Sequence, residues 1–192
     1  MDYTLTVGGS DRRVPGGTNL LLIHPSTGET DRIDTDFLRT DTDRFLVVST
    51  RTTAREVRQK LDYYDVDEER AVILDTLSVE RGYSRRPSES VHYVAAPDDA
   101  DAIVEQVERF LVEHDGKLRV SFDSITELAY YAGDEAARDA VERMVELVAD
   151  AGAIGLFHLS EEVHDPEEID DYRSLFDGTI ELDEDGTIDV GI

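Results

Sequence analysis

Apolar residues in this chain fall into short continuous runs, separated by stretches where they recur at helical spacing. Asn19 to Ile23, Phe45 to Thr50, Ala71 to Asp75, Leu118 to Asp123 and Ala153 to Leu159 are the runs. Each is short enough for a buried strand. The stretch from Thr53 to Tyr64 puts Ala54, Val57, Leu61 and Tyr64 on one helical face, with Arg55, Arg58 and Lys60 on other sides. Asp98 opens an amphipathic helix that turns Ile103, Val107, Phe110 and Leu111 inward and ends at Asp115-Gly116. Ser124 to Tyr131 and Asp134 to Ala151 read as two helical stretches broken around Gly133. Asp165-Pro166-Glu167-Glu168 starts a last helix that runs to about Phe176. Strands and helices therefore alternate, which predicts a parallel sheet covered by helices on both faces.

The remaining segments are less regular. Asp2 to Val7 alternates and reads as a short edge strand, and Val14 to Gly17 as a turn. Asp31 to Thr42 spaces Ile33, Phe37 and Leu38 weakly among four aspartates, so a short or irregular helix is expected. Thr76 to Pro97 shows no element and is long for a loop. Asp185-Gly186 joins Thr179–Leu182 to Thr187–Ile192 as a C-terminal hairpin. No repeat or linker interrupts residues 1–192, so one α/β domain is expected.

Charge changes the picture. The 192 residues carry 45 Asp+Glu against 19 Lys+Arg, a formal net charge of −26. Only Lys60 and Lys117 are lysines. An acid-rich, lysine-poor composition suits a haloarchaeal, salt-saturated cytoplasm, where the Debye length shrinks to about 3 Å at 1 M salt. The acid is uneven. Residues 1–97 hold 17 acids and 13 bases, a net of −4, whereas residues 98–192 hold 28 and 6, a net of −22. Any anion would meet the first half. Without cysteine there is no disulfide framework, thiol catalyst or thiolate metal site. Without a signal-like opening or an apolar run near 18 residues, the expected location is cytoplasmic, with no membrane insertion.

The stretch organising the chain is Gly16 to Thr30. Its buried strand leads into a turn, Pro25-Ser26-Thr27-Gly28-Glu29-Thr30, where a phosphate-binding loop would stand. Such a loop reads G-x-x-x-x-G-K-[ST]: the glycines let backbone N–H groups close on phosphates, the lysine reaches the terminal ones and the hydroxyl holds Mg²⁺. Gly28 and Thr30 fit the sixth and eighth positions, but Ile23 stands at the first and Glu29 replaces the lysine. A carboxylate there repels a polyphosphate.

Gly17-Thr18-Asn19-Leu20-Leu21-Leu22, Leu118–Ser124, Gly155-Leu156-Phe157-His158-Leu159 and Leu175-Phe176-Asp177-Gly178-Thr179-Ile180 together resemble the RecA/KaiC-like P-loop ATPase superfamily. The resemblance extends to the small haloarchaeal KaiC-like proteins of unassigned function, over roughly residues 14–185. The resemblance implies a RecA-like three-layer fold. It also implies that Asp123 takes the Walker B position, where an aspartate orders the water around Mg²⁺. The family's catalytic glutamate follows the second core strand, but here that strand ends Ser49-Thr50-Arg51, with no acid before Glu56. What remains is a vestigial nucleotide site of Ser26, Thr27, Gly28, Glu29, Thr30 and Asp123. Mg²⁺ would fall on Thr30 and Asp123 if ATP bound. The missing lysine and glutamate argue against efficient phosphoryl transfer, and no catalytic residue is assigned.

Other candidates have plainer readings beside the chemical ones. Gly28 and Thr30 can serve as a turn and helix cap, and Asp123 and Asp75 as caps at strand ends. His158, His164, Glu161, Glu162 and Asp165 match no metal spacing rule. His24 is expected to be exposed at the sheet edge. Arg81, Tyr83, Arg85 and Arg86 form the basic island and are read as a contact for a protein partner or a second copy. Specific nucleic-acid binding is disfavoured by the charge of −26. Two readings stand: a non-hydrolysing KaiC-like regulatory or scaffold protein, and a divergent nucleotide-binding switch or weak ATPase using Asp123 and Thr30. A recombinase-type accessory factor is a third, weaker one.

Overall fold

The computed structural model describes residues 1–26, 29–83 and 86–192. Its frame is an eight-stranded sheet. In chain order the main-sheet strands are β3 (Asn19–His24), β4 (Arg44–Ser49), β5 (Ala71–Asp75), β6 (Val91–Tyr93), β7 (Leu118–Asp123), β8 (Ile154–Ser160), β9 (Gly178–Leu182) and β10 (Ile188–Gly191). They lie in the order β10-β9-β3-β8-β7-β4-β5-β6. Every pairing is parallel except β10 with β9, which form the expected C-terminal hairpin. The helices are α1 (Asp31–Arg39), α2 (Ala54–Tyr63), α3 (Ala100–Glu113), α4 (Ile125–Ala132), α5 (Asp134–Asp150) and α6 (Pro166–Arg173).

Two apolar layers sandwich the sheet. Leu21, Ile23, Val120, Phe122 and Phe157 face α3, α4 and α5. Leu20, Leu22, Phe45, Val47 and Leu156 face the side of α1 and α2. This alternation along β3 and β7 gives the α/β three-layer fold its two cores. Gly133, at φ +89°, separates α4 from α5 in a conformation suited to glycine, so the break between them falls where the sequence placed it.

Three segments depart from the sequence expectation. The first strand is not an edge of the main sheet: β1 (Asp2–Val7) pairs with β2 (Ser10–Pro15) as a separate antiparallel hairpin. The sequence hid β2 because Val14 alone of its six residues is buried. Residues 91–93 inside the supposed loop form β6, a strand too short to show a period. Asp31–Arg39 is a regular helix. Its apolar spacing looked weak because Asp34 and Thr35 share the buried face with Ile33, Phe37 and Leu38.

Arg119 fastens the N-terminal hairpin to the body. This fully buried guanidinium on β7 donates through Nη2 to the carbonyls of Thr4, at 2.7 Å, and Thr40, at 2.6 Å. It also lies over the rings of Tyr3 and Phe37, at 5.5 and 5.0 Å. The Tyr3 hydroxyl in turn accepts from Leu118 N and donates to the Gly152 carbonyl. Arg119→Ala strips two buried carbonyls of their donor and opens a cavity. A loss of about 3 kcal/mol or more is expected in urea unfolding, and a loss under about 1 kcal/mol would show that the guanidinium does not hold the hairpin.

Candidate functional site

The C-terminal ends of β3, β8, β7 and β4 lie side by side, and the residues they turn toward α1 and α2 are polar. On β7 these are Arg119, Ser121 and Asp123, all buried. The centre is Asp34 of α1. Its carboxylate accepts from Lys60 Nζ of α2 at 2.7 Å and from Ser121 Oγ at 2.6 Å. His158 Nε2 on β8 approaches it at 3.4 Å. Burial alone would raise the Asp34 pKa, but Lys60 and His158 outweigh burial and hold it well below the usual carboxylate range. Lys60, despite its own burial, is raised by Asp34.

The far side of His158 leads to Asp123, with Nδ1 and Oδ1 3.9 Å apart. Asp123 is bound by Arg51: Nη2 donates to Oδ2 at 3.0 Å, and Nε lies 2.8 Å from Oδ1. The loop after β4 is locked in this position by Thr50, whose N–H and Oγ1 both donate to the Asp123 carbonyl at 2.8 Å. Thr50 Oγ1 also accepts from Ser124 N at 2.7 Å. Burial raises Asp123, but His158 and Arg51 together bring it below its ordinary value. A row of polar and charged side chains, Lys60–Asp34–His158–Asp123–Arg51, thus runs through α2, α1, β8, β7 and the loop after β4.

His24, at the end of β3, is buried rather than exposed, with 1% of its surface accessible. Its Nδ1 lies 2.9 Å from the Pro25 carbonyl, so that nitrogen carries the proton. Its ring meets that of His158 edge-on at 5.7 Å. Burial first, and then His158, lower its pKa to about 4.

The predicted site residues disperse. Ser26 binds the end of β8, through Ser160 Oγ at 2.9 Å and through its N–H to Glu162 at 2.6 Å. Thr27, Gly28 and Arg85 lie outside the described residues. Thr30 occupies the N-cap position of α1, but its side chain makes no cap hydrogen bond. Glu29 lines a cavity of about 690 Å³ between α1 and the C-terminal hairpin. Asp36, Asp183, Glu184 and Asp185 line it too, with Arg32 the one cation. Asp123 is no helix cap: Ser124 takes that place on α4, accepting from Glu127 N. Asp75 does cap a helix, but α2 on the neighbouring strand, by accepting from Ala54 N at 2.7 Å. Arg51 reaches Asp123, whereas Arg81 and Tyr83 line a separate cleft with Asp75. His164 binds Thr126, and no group among the described residues is arranged to hold a metal ion.

Asp34 and Lys60 were not anticipated. Lys60 was placed away from the apolar face of its helix, yet its side chain is only 17% exposed. A signal was available: this arginine-rich chain has only two lysines, and both make short ion pairs, Lys60 with Asp34 and Lys117 with Asp41.

A family model matches residues 1–192. The chain belongs to DUF7090, a family of unknown function. No curated protein matches it. Solved structures do. The KaiC-like protein PH0186 of the hyperthermophilic archaeon Pyrococcus horikoshii OT3 superposes with a TM-score of 0.62 at 17% identity, covering 92% of this chain and 76% of that one. A second P. horikoshii OT3 protein, PH0250, gives 0.63 at 13% identity over 92% and 87%. An ATPase from the type III secretion system of pathogenic bacteria gives 0.57 at 14% identity over 91% of this chain. The chain spans 53% of that ATPase. At such identities the likeness is one of fold, that of KaiC-like and RecA-type P-loop ATPases.

Two measurements probe the buried charges. With a folded pKa near 4 against 6.5 for the free group, His24 resists protonation in the folded state. The unfolded chain then binds more protons between those values, and stability falls as pH drops from about 6.5 to 4, by up to about 3 kcal/mol. In His24→Asn that part of the slope should vanish. A wild-type stability that stays flat across this window would show that His24 is not held neutral. Separately, Lys60→Met leaves Asp34 as an uncompensated buried charge and should cost about 3–5 kcal/mol. Adding Asp34→Asn should recover part of that loss, and strict additivity would show that the pair is not coupled.

Proposed function

We propose that this protein is a non-hydrolysing, KaiC/RecA-like regulatory or scaffold protein that works through protein–protein contacts, in a salt-rich cytoplasm. The observation that carries the reading is the Arg51–Asp123 pair. Asp123 stands where the superfamily resemblance places the carboxylate that orders water around Mg²⁺. Here it is buried, and a guanidinium from the same chain is seated against both of its oxygens. A divalent cation would have to displace that arginine and keep two positive charges apart. The acidic cavity beside Glu29 supports the same reading, because a polyphosphate entering there would face five carboxylates and one arginine. The fold is then retained for its surfaces, with the exposed Arg81, Tyr83 and Arg86 as the partner contact.

A divergent nucleotide-binding switch keeps one observation in its favour: the side chain of Thr30, itself a buried residue, makes no cap hydrogen bond on α1. Thermal melts in molar KCl separate the two. With millimolar ATP, ADP or GTP, adding Mg²⁺ should raise the melting point no further than the nucleotide alone does. A ligand at a hundred times its dissociation constant stabilises by about 2.7 kcal/mol, or roughly 2–4 °C per kcal/mol for a chain of this size. A shift of that order that needs Mg²⁺ and disappears in Asp123→Ala would establish the switch and sink the scaffold reading.

A further inference from the structure

The cleft at the C-terminal ends of β5 and β6 has no part in that polar and charged row. It encloses about 530 Å³ between the start of α2, the turn after β5 and the end of β6. That volume lies in the range of small-molecule sites, and the position is the edge where parallel sheets present ligands. Two arginines line it, Arg55 and Arg81, together with the rings of Tyr83 and Tyr93. Both arginines are exposed, and among the described residues neither makes an ion pair or a side-chain hydrogen bond.

This is unexpected in a chain with more than two acids for every base, because two carboxylates line the same cleft. Those carboxylates are already engaged elsewhere. Asp75 Oδ1 accepts from Leu77 N at 3.0 Å and Ser78 N at 2.9 Å, and its Oδ2 accepts from Ala54 N at 2.7 Å and Ser78 Oγ at 2.6 Å. Glu56 Oε2 accepts from Thr53 N at 2.8 Å and Thr53 Oγ1 at 2.7 Å. Both acids face α2 and the turn and hold them in shape. Their hydrogen-bond partners are backbone and hydroxyl groups. Thr53 and, behind it, the charges of Arg81 and Arg55 hold the Glu56 carboxyl below its ordinary value. Neither arginine is hydrogen-bonded to it among the described residues, so the guanidinium donors remain for a ligand. The start of α2 is likewise occupied by Asp75 and Glu56, so the ligand-directed groups are the arginine forks and the tyrosine rings.

We propose that this cleft binds a small phosphate monoester carried on an aromatic body, with Arg55 and Arg81 on the phosphate and Tyr83 and Tyr93 against the ring. A guanidinium meets phosphate oxygens through two parallel donors, and two such groups at one cleft match a compact dianion. Tyrosine faces accept a flat apolar body, and Tyr83 keeps 54% of its surface open for one. The enclosed volume suits a small molecule better than an acidic peptide, and the charge of −26 repels the long phosphate track of a nucleic acid. The site uses neither Asp123 nor Thr30 and needs no metal, but it shares Arg81 and Tyr83 with the partner contact proposed above.

The test is calorimetric titration of the full chain with phenyl phosphate, inorganic phosphate, phenol and an oligoglutamate peptide, at low and at molar KCl without Mg²⁺. Arg55→Gln, Arg81→Gln and Tyr83→Ala alter exposed side chains, and their melting points serve as the check on folding. Saturable binding of phenyl phosphate is expected, with about tenfold or greater weakening in either arginine variant, a smaller loss in Tyr83→Ala and weaker binding of inorganic phosphate. Binding of phenyl phosphate that neither arginine variant weakens would overturn the site, as would failure to saturate at low salt. Equal affinity for inorganic phosphate would overturn the aromatic half of the proposal. Binding of oligoglutamate in the absence of phenyl phosphate binding would overturn the small-molecule assignment.

Discussion

The carboxylate of Asp34 is the constraint around which one face of the sheet is arranged. An ionised carboxylate removed from water is tolerated only where its lone pairs meet donors, and Asp34 draws these from three other elements. Lys60 reaches it from α2, Ser121 from β7 and His158 from β8. Holding those donors fixes how α1 and α2 sit over the strand ends. It also accounts for Ser121 in the polar row of β7, between Arg119, which holds the N-terminal hairpin, and Asp123, which holds Arg51, in a layer otherwise filled by Leu20, Leu22, Phe45 and Leu156. The layer on the other face is an apolar cluster, among the described residues, that follows ordinary helix-on-sheet packing.

Much of this architecture is legible in the amino-acid order, and the exceptions share a physical origin. The five long parallel strands are visible because burial on both faces demands continuous apolar runs, and α3 and α5 because one apolar stripe is enough to bury each of them. α1 is obscured because a charged residue sits on its buried side, and no hydrophobic pattern can register a carboxylate whose partners lie 26, 87 and 124 positions away in the chain. The same holds for the site. The positions of Asp123 and Thr30 follow from local order, but the seating of Arg51 on Asp123 depends on β4 and β7 being neighbours in the sheet. His24 reads as an exposed loop residue because it follows an apolar strand, whereas it is buried at the end of β3, beside Ser160 of β8 and edge-on to the His158 ring.

Tyr3 and Arg119 also bear on the timing of biosynthesis. The β1–β2 hairpin is made before three of its anchors, Leu118, Arg119 and Gly152, the last of them 149 positions after Tyr3. At about 5–20 residues per second, the ribosome must work for several seconds more before those anchors exist. Until then Tyr3, Leu5 and Val7, all buried in the finished protein, have only α1 and its neighbours to pack against. A segment made well before β7 and α5 can be locked in place only after both exist. During synthesis the hairpin therefore stays open to chaperones, and to wrong partners, until those anchors arrive.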